Sequence, residues 1–252
     1  MLSDRIRTMG AVQWLSLFGM ILAAWVALYL LAVPTELRSL SRIYGADFWA
    51  ALCTVTLDGA GYLNATLMWA LMAAAMMLPT ALPAFATHDD LGRQTGVRFA
   101  PLIAGYVVVW LGFALLAAGL QLLLFRFGLI SAIGDSLSVW LTAMLLLAAG
   151  LYQFSPVKEA CLAKCRQPLT FFMQHWDEGP WRNGLRLGLI CLGCCWALML
   201  LAFVGGVMNL AFMGMATLIM VVEKMPMIGR IVTRPLGILL VLGSFAVMLR
   251  AI

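Results

Sequence analysis

Charged residues are scarce in this chain: Asp, Glu, Lys and Arg make up only 11% of its 252 residues, whereas a water-soluble domain has about a quarter. Hydrophobic residues make up 64%, and the mean hydropathy is +1.00. One water-surrounded core of this length cannot bury so much apolar surface. The composition therefore excludes a soluble or disordered chain and predicts an all-α, polytopic transmembrane helix bundle, a single domain over residues 1–252.

Other residue types and motifs are also missing. Six cysteines are too few for a disulfide-stapled secreted domain. The two histidines, His88 and His175, are predicted to lie in cytoplasmic loops, which argues against a bis-histidine haem and a multi-histidine zinc or copper centre. No GxxxxGK[ST], HExxH or GxSxG motif occurs, and the net charge of +5 has no compact soluble face that would bind a nucleic acid.

Charge-free runs mark the predicted spans, since a helix needs about 20 apolar residues to cross the hydrocarbon layer. The run 187–222 would be about 54 Å long as one helix, and Gly205-Gly206 at its middle predicts a turn between two helices. We therefore predict about seven spans, near residues 10–33, 62–84, 100–124, 137–154, 184–204, 207–223 and 231–250.

The basic residues favour this count, because cytoplasmic loops of membrane proteins are enriched in Lys and Arg. Seven spans place twelve basic residues on the N-terminal side and four on the other. Six spans would give ten and six. The stronger asymmetry predicts seven spans with the N-terminus in the cytoplasm.

Two connections between the predicted spans are long. The outer one, 34–58, is predicted to contain an interfacial helix with Phe48 and Trp49. The cytoplasmic loop, 155–182, begins with Ser155-Pro156, a pair typical of a helix start, and Pro168 ends the short helix that follows. Four apolar residues then recur at helical spacing and predict a second helix on the membrane surface: Leu169, Phe172, Met173 and Trp176.

Five of the six cysteines fall into two clusters. Cys161 and Cys165 share one face of the short cytoplasmic helix, and Cys191, Cys194 and Cys195 share one face of the fifth span. Both clusters are predicted to lie toward the cytoplasmic side, where cysteines remain thiols. Thiolates select Cu(I), Zn(II) or iron–sulfur centres. The alternative is that these small apolar side chains only pack at helix contacts.

Methionine is abundant, with 17 residues. Met76 and Met77 lie on the second span at a depth similar to that predicted for the intramembrane cysteines. A thioether is a soft ligand that suits Cu(I), although methionine at helical spacing also fills cores. Pro79 and Pro83 are expected to kink or end this helix and free backbone carbonyls beside the two methionines.

Glu223 is the carboxylate closest to membrane depth, at the predicted end of the sixth span. A carboxylate at this position indicates a functional site by default. Its neighbour Lys224 offers a second explanation, a solvated ion pair near the membrane surface.

Several of these segments together resemble one bacterial family. They are MWALMAAAMMLP (Met68–Pro79), YQFSPVKEACLAKCRQP (Tyr152–Pro168), CLGCCWALM (Cys191–Met199), GVMN (Gly206–Asn209) and VEK (Val222–Lys224). They are similar to the bacterial domain-of-unknown-function family 2182, described as predicted metal-binding integral membrane proteins. The resemblance implies a multi-pass protein of the bacterial inner membrane that binds a metal. It implies as ligands the motif residues Met76, Met77, Cys161, Cys165, Cys191, Cys194 and Cys195.

The sulfur-rich motifs predict a membrane protein that handles Cu(I), or another soft metal, in transport, delivery or cuproenzyme assembly. Its partners would be the lipid bilayer and a metallochaperone or membrane cuproenzyme. A metal-dependent membrane redox enzyme is one alternative, which the scarcity of histidines and buried carboxylates disfavours. A structural or assembly subunit without a metal is the other.

Overall fold

The computed structural model describes residues 11–32, 56–95 and 99–250, and every regular element in these ranges is helical. A single turn of 3₁₀ helix, Trp176–Glu178, joins two of the helices. The helices are α1 Ala11–Ala32, α2 Gly59–Thr95, α3 Ala100–Arg126, α4 Val139–Tyr152, α5 Pro156–Arg166, α6 Pro168–His175, α7 Gly179–Leu200, α8 Ala202–Gly205, α9 Leu210–Glu223 and α10 Gly229–Leu249. The predicted interfacial helix in the connection 34–58 lies outside the described residues.

Five helical segments of the described chain are long and apolar enough to cross a membrane, which fits a multi-pass membrane protein. A sixth arises if α4 and α5, bent by 61° at their junction, count as one span. The prediction of seven is not confirmed. Helices α4 and α9 have 14 residues each and rise about 21 Å, less than the hydrocarbon thickness of about 30 Å.

Helix α2 runs through both of its prolines for 37 residues and does not end beside Met77. Pro79 lacks the N–H that would bond the carbonyl of Ala75 four residues earlier. The indole Nε1 of Trp25 in α1 donates to that carbonyl oxygen at 2.9 Å. A partner from another helix therefore satisfies the freed carbonyl and allows the helix to continue.

The start of α2 is capped by a carboxylate. Asp58 Oδ1 accepts a hydrogen bond of 2.7 Å from the backbone N–H of Gly61 and one of 2.5 Å from the Thr56 hydroxyl. The Thr56 bond, followed by the Gly61 bond, lowers the pKa of Asp58 below its ordinary value of 3.8.

The long run 187–222 is broken as the sequence predicts. Helix α7 ends at Leu200, α8 forms one turn, and Gly206 takes a positive φ of 92° that a residue with a Cβ rarely adopts. Asn209 then caps α9, because its Oδ1 accepts from the N–H of Phe212 at 3.1 Å.

Helices α3 and α7 approach so closely that their backbones touch. A Cβ on Gly184 would lie 2.1 Å from the carbonyl oxygen of Leu102, and a Cβ on Gly105 would lie 2.5 Å from that of Trp181. Small residues allow such contacts between membrane helices. This packing brings Tyr106 of α3 beside Cys191 of α7.

The connection 155–182 has the predicted helix start but a different second half. Ser155 Oγ accepts from the N–H of Val157, and α5 ends before Pro168, both as predicted. Leu169 and Met173 are exposed, whereas Phe172 is buried in the core. The predicted apolar stripe therefore does not form one membrane-facing surface.

His88 does not lie in a loop, contrary to the prediction. It sits within α2, is 1% exposed, and packs against the rings of Phe172 and Trp176. The two rings belong to the connection 155–182, which folds back over the end of α2 and buries this histidine. His175 is half-buried, and its Nδ1 lies 2.9 Å from the carbonyl oxygen of Phe171.

Candidate metal centre

Three cysteines of α7 bring their sulfur atoms together inside the helix bundle. The Sγ atoms of Cys191, Cys194 and Cys195 lie within 4.8 Å of one another, and each residue is at most 2% exposed. The Sγ atoms of Cys194 and Cys195 are 3.3 Å apart. Within the described part of the chain, this is the one group of three or more His, Cys, Asp or Glu side chains close enough to share a metal ion.

The spacing of the three sulfurs suits one thiolate-bound ion. At a metal–sulfur distance of about 2.3 Å, two ligands on opposite sides of an ion are about 4.6 Å apart. The set has only soft donors, since neither a histidine nor a carboxylate belongs to it. Thiolates select Cu(I) and Zn(II) over hard ions such as Mg²⁺ and Ca²⁺.

Cys191 has two polar neighbours from other elements. The ammonium Nζ of Lys224 donates to Cys191 Sγ at 3.0 Å, and the hydroxyl of Tyr106 is also 3.0 Å from this sulfur. A cation beside a cysteine stabilises the thiolate, the form that binds metals. Sequence reasoning missed Tyr106 and considered Lys224 only as a partner for Glu223.

Helix α2 contacts the centre through a backbone carbonyl group. The carbonyl oxygen of Met77 accepts hydrogen bonds from the hydroxyls of Tyr106, at 3.0 Å, and Thr80, at 2.9 Å. Lys224 Nζ also donates to Thr80 Oγ1 at 2.6 Å. Met76 and Met77 are buried, and the hydrogen bonds that connect Met77 to Cys191 run through its carbonyl group.

Glu223 pairs with a different lysine than its sequence neighbour. Its two carboxylate oxygens accept from Lys158 Nζ at 3.1 and 2.9 Å, and both side chains are 1% exposed. The Nε of Arg166 donates to the Glu223 backbone carbonyl at 2.9 Å. The ion pair is therefore buried, and the expected solvated pair with Lys224 is wrong. The Lys158–Glu223 pair attaches α5 to the end of α9, directly beside Lys224.

Cys161 and Cys165 of α5 lie near α7, the helix that carries the other three cysteines, and Cys165 lines one cavity with Cys191. The Sγ of Cys161 lies 2.7 Å from the point where a Cβ on Gly193 of α7 would stand. Both thiols are half-buried and free. The packing of α5 on α7 thus brings together two clusters that are 26 residues apart along the chain from Cys165 to Cys191.

A cavity of about 430 Å³ connects the two cysteine clusters. Cys165 and Cys191 both line it, together with Thr80, Tyr106, Arg166 and Lys224. One cysteine of α5 and one of the buried centre therefore line the same space.

Comparison with known proteins gives the family of this chain. A family model described as PpoB2, copper chaperone, matches residues 66–247. The chain belongs to this copper-chaperone family. No curated protein and no solved structure matches it significantly.

The match to the copper-chaperone family includes every residue of the centre. Its range covers the five clustered cysteines, Met76, Met77, Tyr106 and Lys224, whereas α1 lies outside it. The family and the cysteine cluster fit a copper-handling membrane protein, in agreement with the prediction of copper. The family 2182 name that the sequence segments suggested is not confirmed by this match.

Proposed function

We propose that this chain is a membrane-embedded copper chaperone that binds Cu(I) at Cys191, Cys194 and Cys195. The convergence of these three buried sulfurs within 4.8 Å carries the proposal. Copper is the cargo, and the family description supports it over the other soft metals. The ligand type supports the monovalent form, because thiolates select Cu(I).

Cys165 is proposed to exchange copper with the buried centre. It lines the same cavity as Cys191, so a copper ion held at Cys165 would lie near its next ligand. Each step forms one copper–sulfur bond while another breaks, and the metal stays Cu(I) throughout. Cys161, Met76 and Met77 are proposed as further soft ligands along this route.

The route suits exchange between a copper donor on the cytoplasmic side and an acceptor in the membrane. A metallochaperone and a membrane cuproenzyme are the proposed partners. Release of copper to an acceptor requires only competing thiolates or thioethers. The free-energy difference between neighbouring copper sites is small because their ligands are similarly soft.

Seven spans in a bacterial inner membrane, with a cytoplasmic N-terminus, are proposed as the topology. Helices α4 and α9 both begin near the Gly206 turn, where the N–H of Ser136 donates to the carbonyl of Phe203 at 2.9 Å. Both end near the Lys158–Glu223 pair. The short helices α4 and α9 would thus be the two additional spans that bring the number from five to seven. A C-terminal alkaline phosphatase fusion tests this topology, since seven spans predict activity and six predict none.

Copper content of the purified protein tests the function. We expect wild type loaded anaerobically with Cu(I) to retain about one copper per chain by mass spectrometry, and the triple variant Cys191→Ser, Cys194→Ser, Cys195→Ser to retain almost none. Ala197→Ser is the matched control, since it places one hydroxyl at another buried position of α7. Equal copper in all three proteins would end the proposal and favour a packing role.

Transfer kinetics test the part assigned to Cys165. With Cu(I)–glutathione as donor, Cys165→Ser is expected to load at least tenfold more slowly and to reach the same final copper content. Ala163→Ser on the exposed side of α5 is the control. Unchanged loading by the Cys165 variant would remove this residue from the route while leaving the buried centre intact.

A further inference from the structure

A second, polar cleft of about 850 Å³ opens between the end of α4, the start of α5 and the start of α10. Its lining includes Gln153, Ser155, Glu159, Arg230, Thr233 and Arg234, none of which belongs to the copper centre. The cleft lies at the level where both membrane helices have their cytoplasmic ends in the proposed topology.

Gln153 is a buried amide without a partner. The residue is 5% exposed, and neither Nε2 nor Oε1 makes a hydrogen bond with the described residues. A buried polar group left unsatisfied costs about 1–3 kcal/mol, so such groups in native proteins require an explanation. Because Gln153 lines the cleft, a ligand in the cleft with both donor and acceptor groups would satisfy it.

Arg230 and Arg234 add two unpaired positive charges. They lie one turn apart on α10, and both are exposed. Neither guanidinium has an ion pair or side-chain hydrogen bond among the residues that the structure describes. They also lie near the N-terminus of α10, where the positive end of the helix dipole favours an anion.

The carboxylate in the cleft does not neutralise this charge. Glu159 Oε1 accepts from Arg166 Nη1 at 3.3 Å, so its charge is offset by a third arginine. Two guanidinium groups with an amide and the Ser155 hydroxyl form a donor set that suits phosphate oxygens.

The surroundings of the cleft favour a lipid over a free phosphate. Phe154 lines it and is 49% exposed, and the outer faces of α4 and α10 continue from it with exposed apolar side chains, among them Leu151, Ile231 and Ile238. Basic pockets between membrane helices on the cytoplasmic side bind anionic headgroups. We infer that this cleft binds the phosphate headgroup of one anionic phospholipid, whose acyl chains lie along α4 and α10.

Native mass spectrometry of the full-length protein in detergent tests this inference. Dioctanoyl-phosphatidylglycerol and dioctanoyl-phosphatidylcholine are titrated separately, and a third arm contains inorganic phosphate alone. We expect one phosphatidylglycerol to bind at least tenfold more tightly than phosphatidylcholine, and inorganic phosphate alone to bind only weakly.

Variants locate the lipid. Arg230→Gln with Arg234→Gln should abolish the preference for phosphatidylglycerol, and Gln153→Leu should reduce it several-fold. Arg126→Gln with Arg250→Gln is the control, because it removes the same charge from exposed positions at the opposite end of the bundle and should keep the preference.

Three results would overturn the inference. They are equal affinity for both lipids in wild type, a preference retained by the Arg230/Arg234 variant, and inorganic phosphate binding as tightly as phosphatidylglycerol, which would indicate a free-phosphate site. Copper content should be the same in wild type and the Arg230/Arg234 variant, so this result is independent of the proposed copper function.

Discussion

The buried ion pair between Lys158 and Glu223 gives the sharpest test of how the centre is held together. Lys158 Nζ contacts both carboxylate oxygens, and the two side chains are each 1% exposed. Replacing Lys158 by Met removes the cation and leaves the carboxylate buried. Arg166 binds the backbone carbonyl of Glu223 and not its carboxylate.

The expected cost follows from this burial. Breaking a buried pair by removing one partner typically costs about 3–5 kcal/mol, whereas replacing both partners by apolar residues is often neutral or stabilising. At about 2–4 °C per kcal/mol for a chain of this size, Lys158→Met should lower the melting temperature by roughly 6–20 °C. The double variant Lys158→Met with Glu223→Leu should recover most of that loss.

Melting of the detergent-purified proteins, followed by tryptophan fluorescence, measures both effects. Arg186→Met is the matched control, because its pair with Glu178 is part-exposed, with side chains 45% and 32% exposed, and should contribute little. A single Lys158 variant that melts within 2 °C of wild type would refute the reasoning. So would a double variant less stable than the single one.

Three further perturbations test the centre and the packing that forms it. Lys224→Met removes the charged hydrogen-bond donor to Cys191, and such a bond is worth about 1.5–3 kcal/mol. The variant should therefore bind Cu(I) roughly ten- to hundredfold more weakly in competition with bicinchoninate. Unchanged affinity would contradict a role for the ammonium group. Gly184→Ala places a Cβ against the Leu102 carbonyl and should destabilise the protein by about 1–3 kcal/mol in thermal melting. Gly112→Ala on α3 is the control and should not destabilise it, because the added Cβ meets no atom within 4 Å. Asp58→Ala removes the cap of α2. Because the folded-state pKa of Asp58 lies below 3.8, the melting difference from wild type should be present above pH 3.8 and be lost as the pH falls through that lower pKa, and a difference of the same size at every pH would refute the capping role.

Local features of this fold were predictable because they depend on residues close together in the chain. Ser155-Pro156 starts a helix, Gly205-Gly206 ends one, and the spacing of Cys191, Cys194 and Cys195 places three sulfurs on one helix face. Each of these depends on backbone geometry over one or two turns, which the sequence specifies without tertiary contacts.

The errors share one physical cause. His88 and the apolar stripe that includes Phe172 are predicted to lie in water or at the membrane surface, and a solvated pair with Lys224 is one of two explanations for Glu223, because all three lie near predicted helix ends. In the structure each is buried by a segment distant in sequence: Phe172 and Trp176 cover His88, and Lys158 reaches Glu223 across 65 residues. The sequence position of a residue predicts how far along a helix it lies. It does not predict which distant segment of the chain packs over the end of that helix.

Hydrophobic composition and helical periodicity by themselves determined that this chain is a helical membrane protein with three soft sulfur side chains on one helix face, since both properties are local and additive along the chain. Only the tertiary structure decided that Lys224 meets Cys191 and Thr80, that Cys165 and Cys191 line one cavity, and that Trp25 satisfies a carbonyl freed by Pro79. Those contacts depend on how closely the helices pack, and backbone contacts at glycines such as Gly184 set that distance.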